Sequence, residues 1–115
     1  MDTLNAVTSE LKKEGFGIIS EIDLKEKFRE KLGVEFRNYK ILGACNPALA
    51  YDAIEIEDRI GVLLPCNVLV QEKENGEVEV AAINPLTSLG AIENIQLQRV
   101  AEEVGSKLKA AIERV

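Results

Sequence analysis

The sequence predicts an α+β fold: an antiparallel-rich sheet of about four to five strands, helices packed on one face, and a long C-terminal helix. Three observations predict it. Asn75-Gly76 between two strand-like stretches is a strong short hairpin signal, so at least one pair of strands is antiparallel. Residues 94–113 place Leu97, Val100, Ala101, Val104, Leu108, Ala111 and Ile112 on one helical face. Helix and strand signals alternate too irregularly for a doubly wound parallel sheet.

Taken in order, Leu4, Val7 and Leu11 recur at helical spacing, which predicts a helix over 3–13 with Gly15 in the C-cap position. Residues 16–22 read as a strand. Asp23 followed by Glu26 is a capping-box-like pattern that opens a helix carrying Leu24, Phe28 and Leu32, and Gly33 ends it. Residues 37–44 read as a second strand through Tyr39, Ile41 and Leu42. Asn46-Pro47 pairs a good N-cap with a good first helical residue, and the helix carries Leu49, Ala50, Ala53 and Ile56 before fading at Glu57-Asp58-Arg59. Residues 61–72 are strand-rich, with Pro65 marking a bulge, break or edge. Residues 77–83 return as the partner strand, Asn84-Pro85 ends it, and a loop of small residues runs to about Gly90.

At 115 residues the chain reads as one α+β domain over 1–115, large enough to bury a core without disulfides or metal. Strand alternation assigns Phe16, Ile18, Ile22, Tyr39, Ile41, Val68, Val70, Val78 and Val80 to a face beneath the helices. The opposite face then collects Ile19, Leu42, Ala44, Leu63, Leu69, Ala81 and Ile83 beside Glu21, Lys40, Gln71 and Glu79. A second apolar face points to an interface or ligand surface unless the N-terminal helix, or the one after Pro47, covers it. Self-association as a homodimer is the leading expectation for its assembly.

Twenty acidic residues against fourteen basic ones leave a net charge of −6. Nucleic acids and anionic membranes are therefore not expected as partners, because both need a basic surface. The longest apolar run, 60–70, is interrupted by Pro65 and Asn67 and is too short for a membrane span. Positions 1–14 are polar and acidic, unlike a signal peptide, so the cytoplasm is the expected compartment. The chain has no histidine. That removes Ser-His-Asp and Cys-His catalysis and the usual acid–base group near neutral pH, which argues against an enzyme.

Chemistry concentrates at two Cys-Asn steps, Cys45-Asn46-Pro47 and Pro65-Cys66-Asn67. Cys45 stands where a strand hands over to a helix N-terminus, whose dipole and free amides can activate a thiol. If the two strands are neighbours, both thiols and both carboxamides can meet at one pocket. Three functional readings follow: a small-molecule pocket, a redox pair, or a soft-metal site. Two cysteines fall short of the four ligands of structural zinc, and the compact Cys-x-x-Cys redox spacing is missing. The plain structural reading makes both cysteines inert core residues, with Asn46 a helix cap and Asn67 a satisfied strand residue. The acidic bunches Glu55, Glu57, Asp58 and Glu72, Glu74, Glu77, Glu79 lack a calcium-loop pattern and read as solvated surface. Gly15-x-Gly17 precedes a strand and is no phosphate loop.

The strings Gly15-Phe16-Gly17-Ile18, Ala44-Cys45-Asn46-Pro47 and Leu64-Pro65-Cys66-Asn67-Val68 carry a family resemblance. With Gly76, Val78, Val80 and Asn84-Pro85, the chain resembles the bacterial and archaeal "domain of unknown function 302" proteins over about residues 15–90, with flanking helices at 3–13 and 94–113. The resemblance implies a compact α+β fold, topologically similar to half of the TATA-binding protein saddle, and frequent dimers. It implies no activity, and cofactors are left open. It brings Cys45, Asn46, Cys66 and Asn67 forward as family-like positions without assigning them a role. The resulting expectation is a small-ligand-binding or sensing domain with a pocket at the Cys-Asn steps. The alternatives are a thiol-based redox or soft-metal-handling protein and a non-catalytic dimerisation domain.

Overall fold

The computed structural model describes residues 2–89 and 94–115. Helix α1 (Asp2–Lys13) buries Val7 and Leu11. Gly15, at φ 87°, then turns the chain into strand β1 (Gly17–Asp23). Asp23 caps helix α2 (Leu24–Leu32) by accepting from the Glu26 amide at 3.1 Å, and left-handed Gly33 closes it. Strand β2 (Tyr39–Cys45) leads directly into helix α3 (Pro47–Ile56), capped by Asn46. A 3-10 turn (Asp58–Leu63) and a cis Leu64–Pro65 peptide precede strand β3 (Cys66–Glu72). Strand β4 (Val78–Ala82), helix α4 (Pro85–Leu89) and helix α5 (Ile95–Glu113) complete the described order.

The four strands form one antiparallel sheet in the sequential order β1-β2-β3-β4. Helices α1, α3 and α5 lie on one face of it. Val7 and Leu11 of α1, Leu49 of α3 and Val104, Leu108 and Ala111 of α5 close on Leu42, Ala44, Val68 and Val70 of the sheet. A smaller cluster joins Ala53 of α3, Ile60 of the 3-10 turn and Leu97 and Ala101 of α5. The long helix thus buries five of the residues whose spacing predicts it, while Val100 and Ile112 pack partly buried at its flanks.

Several sequence expectations change. The face assignment inverts in β2: Leu42 pairs with Val68 and Ala44 with Cys66, which puts Leu42 and Ala44 beneath the helices and Tyr39 and Ile41 on the other side. Ladder partners share a face, so the pairing register overrides a parity counted from the strand start. In β1 a bulge between Ile18 and Ser20 adds a residue. Ile18 stays against the core, while Ile22 moves to the open face and is 45% exposed. Neither α1 nor α3 covers that open face, since both pack into the core on the opposite side. The strand expected over 61–72 begins only at Cys66, because 58–63 winds as a 3-10 turn around buried Ile60. The loop expected after Asn84-Pro85 is helix α4 as far as Leu89, and its expected end at Gly90 lies outside the described residues.

Gly43 shows how tightly the chain is threaded where β1 and β3 flank β2. A Cβ there would collide with the Ser20 hydroxyl and lie 2.8 Å from the Pro65 ring. Only hydrogen fits.

Candidate functional site

Where β2 ends and β3 begins, three secondary elements carry small side chains toward each other: Ala44 on β2, Ala50 and Ala53 on α3, and Gly61 in the 3-10 turn. Methyl groups and a hydrogen leave unfilled the half-open space that Phe16, Leu49, Leu64, Val100 and Val104 line. A cavity of about 360 Å³ results, and both Cys45 and Cys66 line it. Ile19 and Ile54, 63% and 44% exposed, belong to the same wall and bring apolar side chains out to solvent. The volume falls at the small end of the range typical of small-molecule sites.

Cys66 stands opposite Ala44 in the antiparallel ladder, on the same face as Val68 and Val70, as alternation predicts. Cys45 is the next residue along β2, diagonal to Cys66. Both are free thiols and each is half-buried. Burial pushes the Cys66 thiol above its ordinary value, and the neighbouring Cys45 adds to the push. A raised value keeps the Cys66 sulfur protonated and apolar in character, in keeping with its surroundings.

Asn46 has a structural task at this site. Its side-chain oxygen accepts from the Leu49 amide at 3.3 Å as the α3 cap, while its carboxamide nitrogen donates to the Glu14 carbonyl at 3.3 Å. The single side chain therefore ties the end of α1 to the start of α3 and holds the segment that presents Cys45. Asn67 is not brought to the cavity. It is exposed, pairs with Gly43 and directs its side chain to the open face, while its carbonyl accepts from the Ile83 amide at 3.1 Å. The structure thus gathers Cys45, Asn46 and Cys66 and separates Asn67 from them.

Sequence reasoning missed the rest of the wall. Val100 and Val104 read as ordinary positions in the apolar stripe of α5, Ala50 and Ala53 as apolar positions of the helix after Pro47, and Ala44 as a member of the opposite sheet face. The legible signal was the recurrence of alanine at 44, 48, 50 and 53 around Cys45-Asn46, which leaves volume unfilled. Among the described residues, no three side chains of the His, Cys, Asp and Glu types come together to hold a metal ion.

A larger hollow of about 580 Å³ lies between β4, α4 and α5. Glu102, Lys109 and Glu113 edge it, and it contains no thiol. Its solvated charges give it less capacity to retain an apolar guest than the thiol-lined cavity has.

A family model described as "Domain of unknown function DUF302" matches residues 1–115. Among solved structures, the chain is similar to the "uncharacterized conserved protein DUF302 from Bacillus stearothermophilus", a crystal structure. The two share 29% identity with a TM-score of 0.90, over 98% of this chain and 88% of that one. Comparison with curated proteins finds no match.

Proposed function

This chain belongs to the DUF302 family, a membership that assigns a fold and no reaction, and on that premise we propose that it is a binding domain for a small, largely apolar molecule. The observation that carries the reading is the alanine-walled cavity with both cysteines in its lining. Burying an apolar guest there releases hydration from both surfaces, and the guest needs few polar partners. The absence of histidine and the raised Cys66 thiol both favour binding over turnover.

The direct test is titration with N-phenyl-1-naphthylamine, a neutral dye that fluoresces in apolar surroundings. The wild-type protein saturates with a blue-shifted signal. Ala50→Phe fills the cavity from α3 while keeping a helix-compatible residue, and it abolishes that signal with the melting transition retained. An equal signal from folded Ala50→Phe sinks the reading.

The open sheet face supports a second reading, self-association. Ile22, Ile41, Leu69 and Ala81 are successive ladder partners, so they form one apolar row across all four strands. A row of that kind meets its own copy under a twofold axis. With strand spacing near 4.8 Å, four strands of about 20 Å length offer roughly 400 Å² per copy. That is about half of a standard interface side, so the dimer is weak and concentration-dependent. Leu69→Glu returns it to monomer in sedimentation equilibrium without changing dye binding. A monomer at every accessible wild-type concentration contradicts this second reading.

A further inference from the structure

We propose that Cys45 and Cys66 are an oxidation site: hydrogen peroxide joins them into an intramolecular disulfide across the cavity wall. The inference builds on the cavity of the proposed binding function but concerns the fate of its thiols.

Geometry carries the argument. The ladder places Cys66 opposite Ala44, so Cys45 is the diagonal neighbour of Cys66 on an adjacent strand. Strands lie about 4.8 Å apart with about 3.4 Å per residue. Such diagonal neighbours have Cα atoms about 6 Å apart, inside the span that a disulfide bridges. Strict alternation would send the Cys45 side chain to the open face. β2 ends at that residue, however, and Asn46 turns the chain into α3, so Cys45 lines the same cavity as Cys66. Cys45 also adds, after burial, to the upward push on the Cys66 thiol, as a near neighbour does.

The chemistry balances with hydrogen peroxide. The Cys45 thiolate attacks one peroxide oxygen, the O–O bond breaks, and a sulfenic acid forms with release of water after protonation. The Cys66 thiol then attacks that sulfur, its proton leaves with the sulfenic hydroxyl as a second water, and the S–S bond closes. Two thiols are oxidised by two electrons and the peroxide is reduced to two waters. The slack for closure comes from the unfilled cavity, where the small side chains of Ala44 and Ala50 offer little resistance to a shift of the sulfurs. Closure shortens the cavity at its strand end and lowers its affinity for an apolar guest.

The test treats reduced protein with hydrogen peroxide, quenches it by alkylation, and reads intact mass and peptide maps. The expected product has lost two hydrogens, is monomeric on non-reducing gels, carries a Cys45–Cys66 linked peptide, and returns to the starting mass with dithiothreitol. Cys66→Ser yields no such species and instead accumulates oxygen adducts on Cys45. Oxidised wild-type protein that carries only oxygen adducts, or only intermolecular disulfides, overturns the proposal. Dye titration of the same samples separates the two claims. Where the reduced protein binds dye, the disulfide form binds it roughly tenfold or more weakly, the scale of conformational coupling. Unchanged dye affinity in the disulfide form refutes closure of the cavity. Failure of reduced protein to bind dye refutes the binding function alone, and the linked peptide still decides the oxidation site.

Discussion

The carboxamide nitrogen of Asn46 donates to the main-chain carbonyl of Glu14 at 3.3 Å, joining the C-terminal end of α1 to the turn that presents Cys45. The other end of the same side chain caps α3. Cavity geometry and helix capping therefore depend on one residue. Asn46→Ala loses both bonds, and the cap alone is worth about 0.5–2 kcal/mol. Asn46→Asp keeps an acceptor for the cap but loses the donor to Glu14, so it lies between wild type and Asn46→Ala. Urea unfolding midpoints in that order check the claim, and an unchanged midpoint for Asn46→Ala refutes it.

Gly15 adjoins the same contact. Its φ of 87° is left-handed, and a Cβ would sit 2.9 Å from the Asn46 carboxamide nitrogen. Gly15→Ala combines backbone strain of about 1–2 kcal/mol with displacement of that nitrogen. Its urea midpoint falls, and the combination with Asn46→Ala falls by less than the sum, because the collision has been removed.

Gly43→Ala places a methyl group between Ser20 and the Pro65 ring. Overpacking of this kind costs about 1–3 kcal/mol. Adding Ser20→Gly recovers part of the loss and not all of it, since the Pro65 contact remains. Thermal melts of the two variants give the order.

Two groups predict pH dependence of opposite sign. A hydrogen bond from Arg114, at 2.6 Å, and a second from Lys13 hold the Glu10 carboxyl below its ordinary 4.5. A depressed folded value contributes stability that is present above the unfolded value and lost as pH falls through the folded one. Arg114→Ala therefore flattens the acid limb of stability below about pH 4.5. Cys66 works the other way. Its folded value is raised above 9.0, so stability is intact below that pH and declines as pH rises beyond it. Cys66→Ala removes that alkaline decline. Denaturation midpoints measured across both limbs decide the signs, and identical pH profiles for wild type and variants contradict them.

Local rules made most elements legible. Asp23 and Asn46 cap their helices through the Glu26 and Leu49 amides, as side chains of their types do. The hairpin around Asn75-Gly76 stands between β3 and β4, with Gly76 at φ 85°. What could not be read was tertiary. The bulge in β1 and the register of β2 decide which face Ile22, Tyr39, Leu42 and Ala44 occupy, and neither is encoded in alternation alone. Winding of 58–63 as a 3-10 turn depends on Ile60 docking against Leu97 and Ala101. At the candidate site, the sequence made the meeting of Cys45 and Cys66 conditional on adjacent strands, and the β2–β3 ladder supplies that adjacency. The exclusion of Asn67 followed from the same ladder, because residues one apart on β3 point to opposite faces.

The most direct test of the central claim is an amide chemical-shift titration of reduced, isotope-labelled protein with N-phenyl-1-naphthylamine. Saturable shifts centred on Phe16, Cys45, Leu49, Ala53, Cys66 and Val104 are the predicted result. Shifts confined to Ile22, Ile41, Leu69 and Ala81, or no saturable shifts at all, would contradict it.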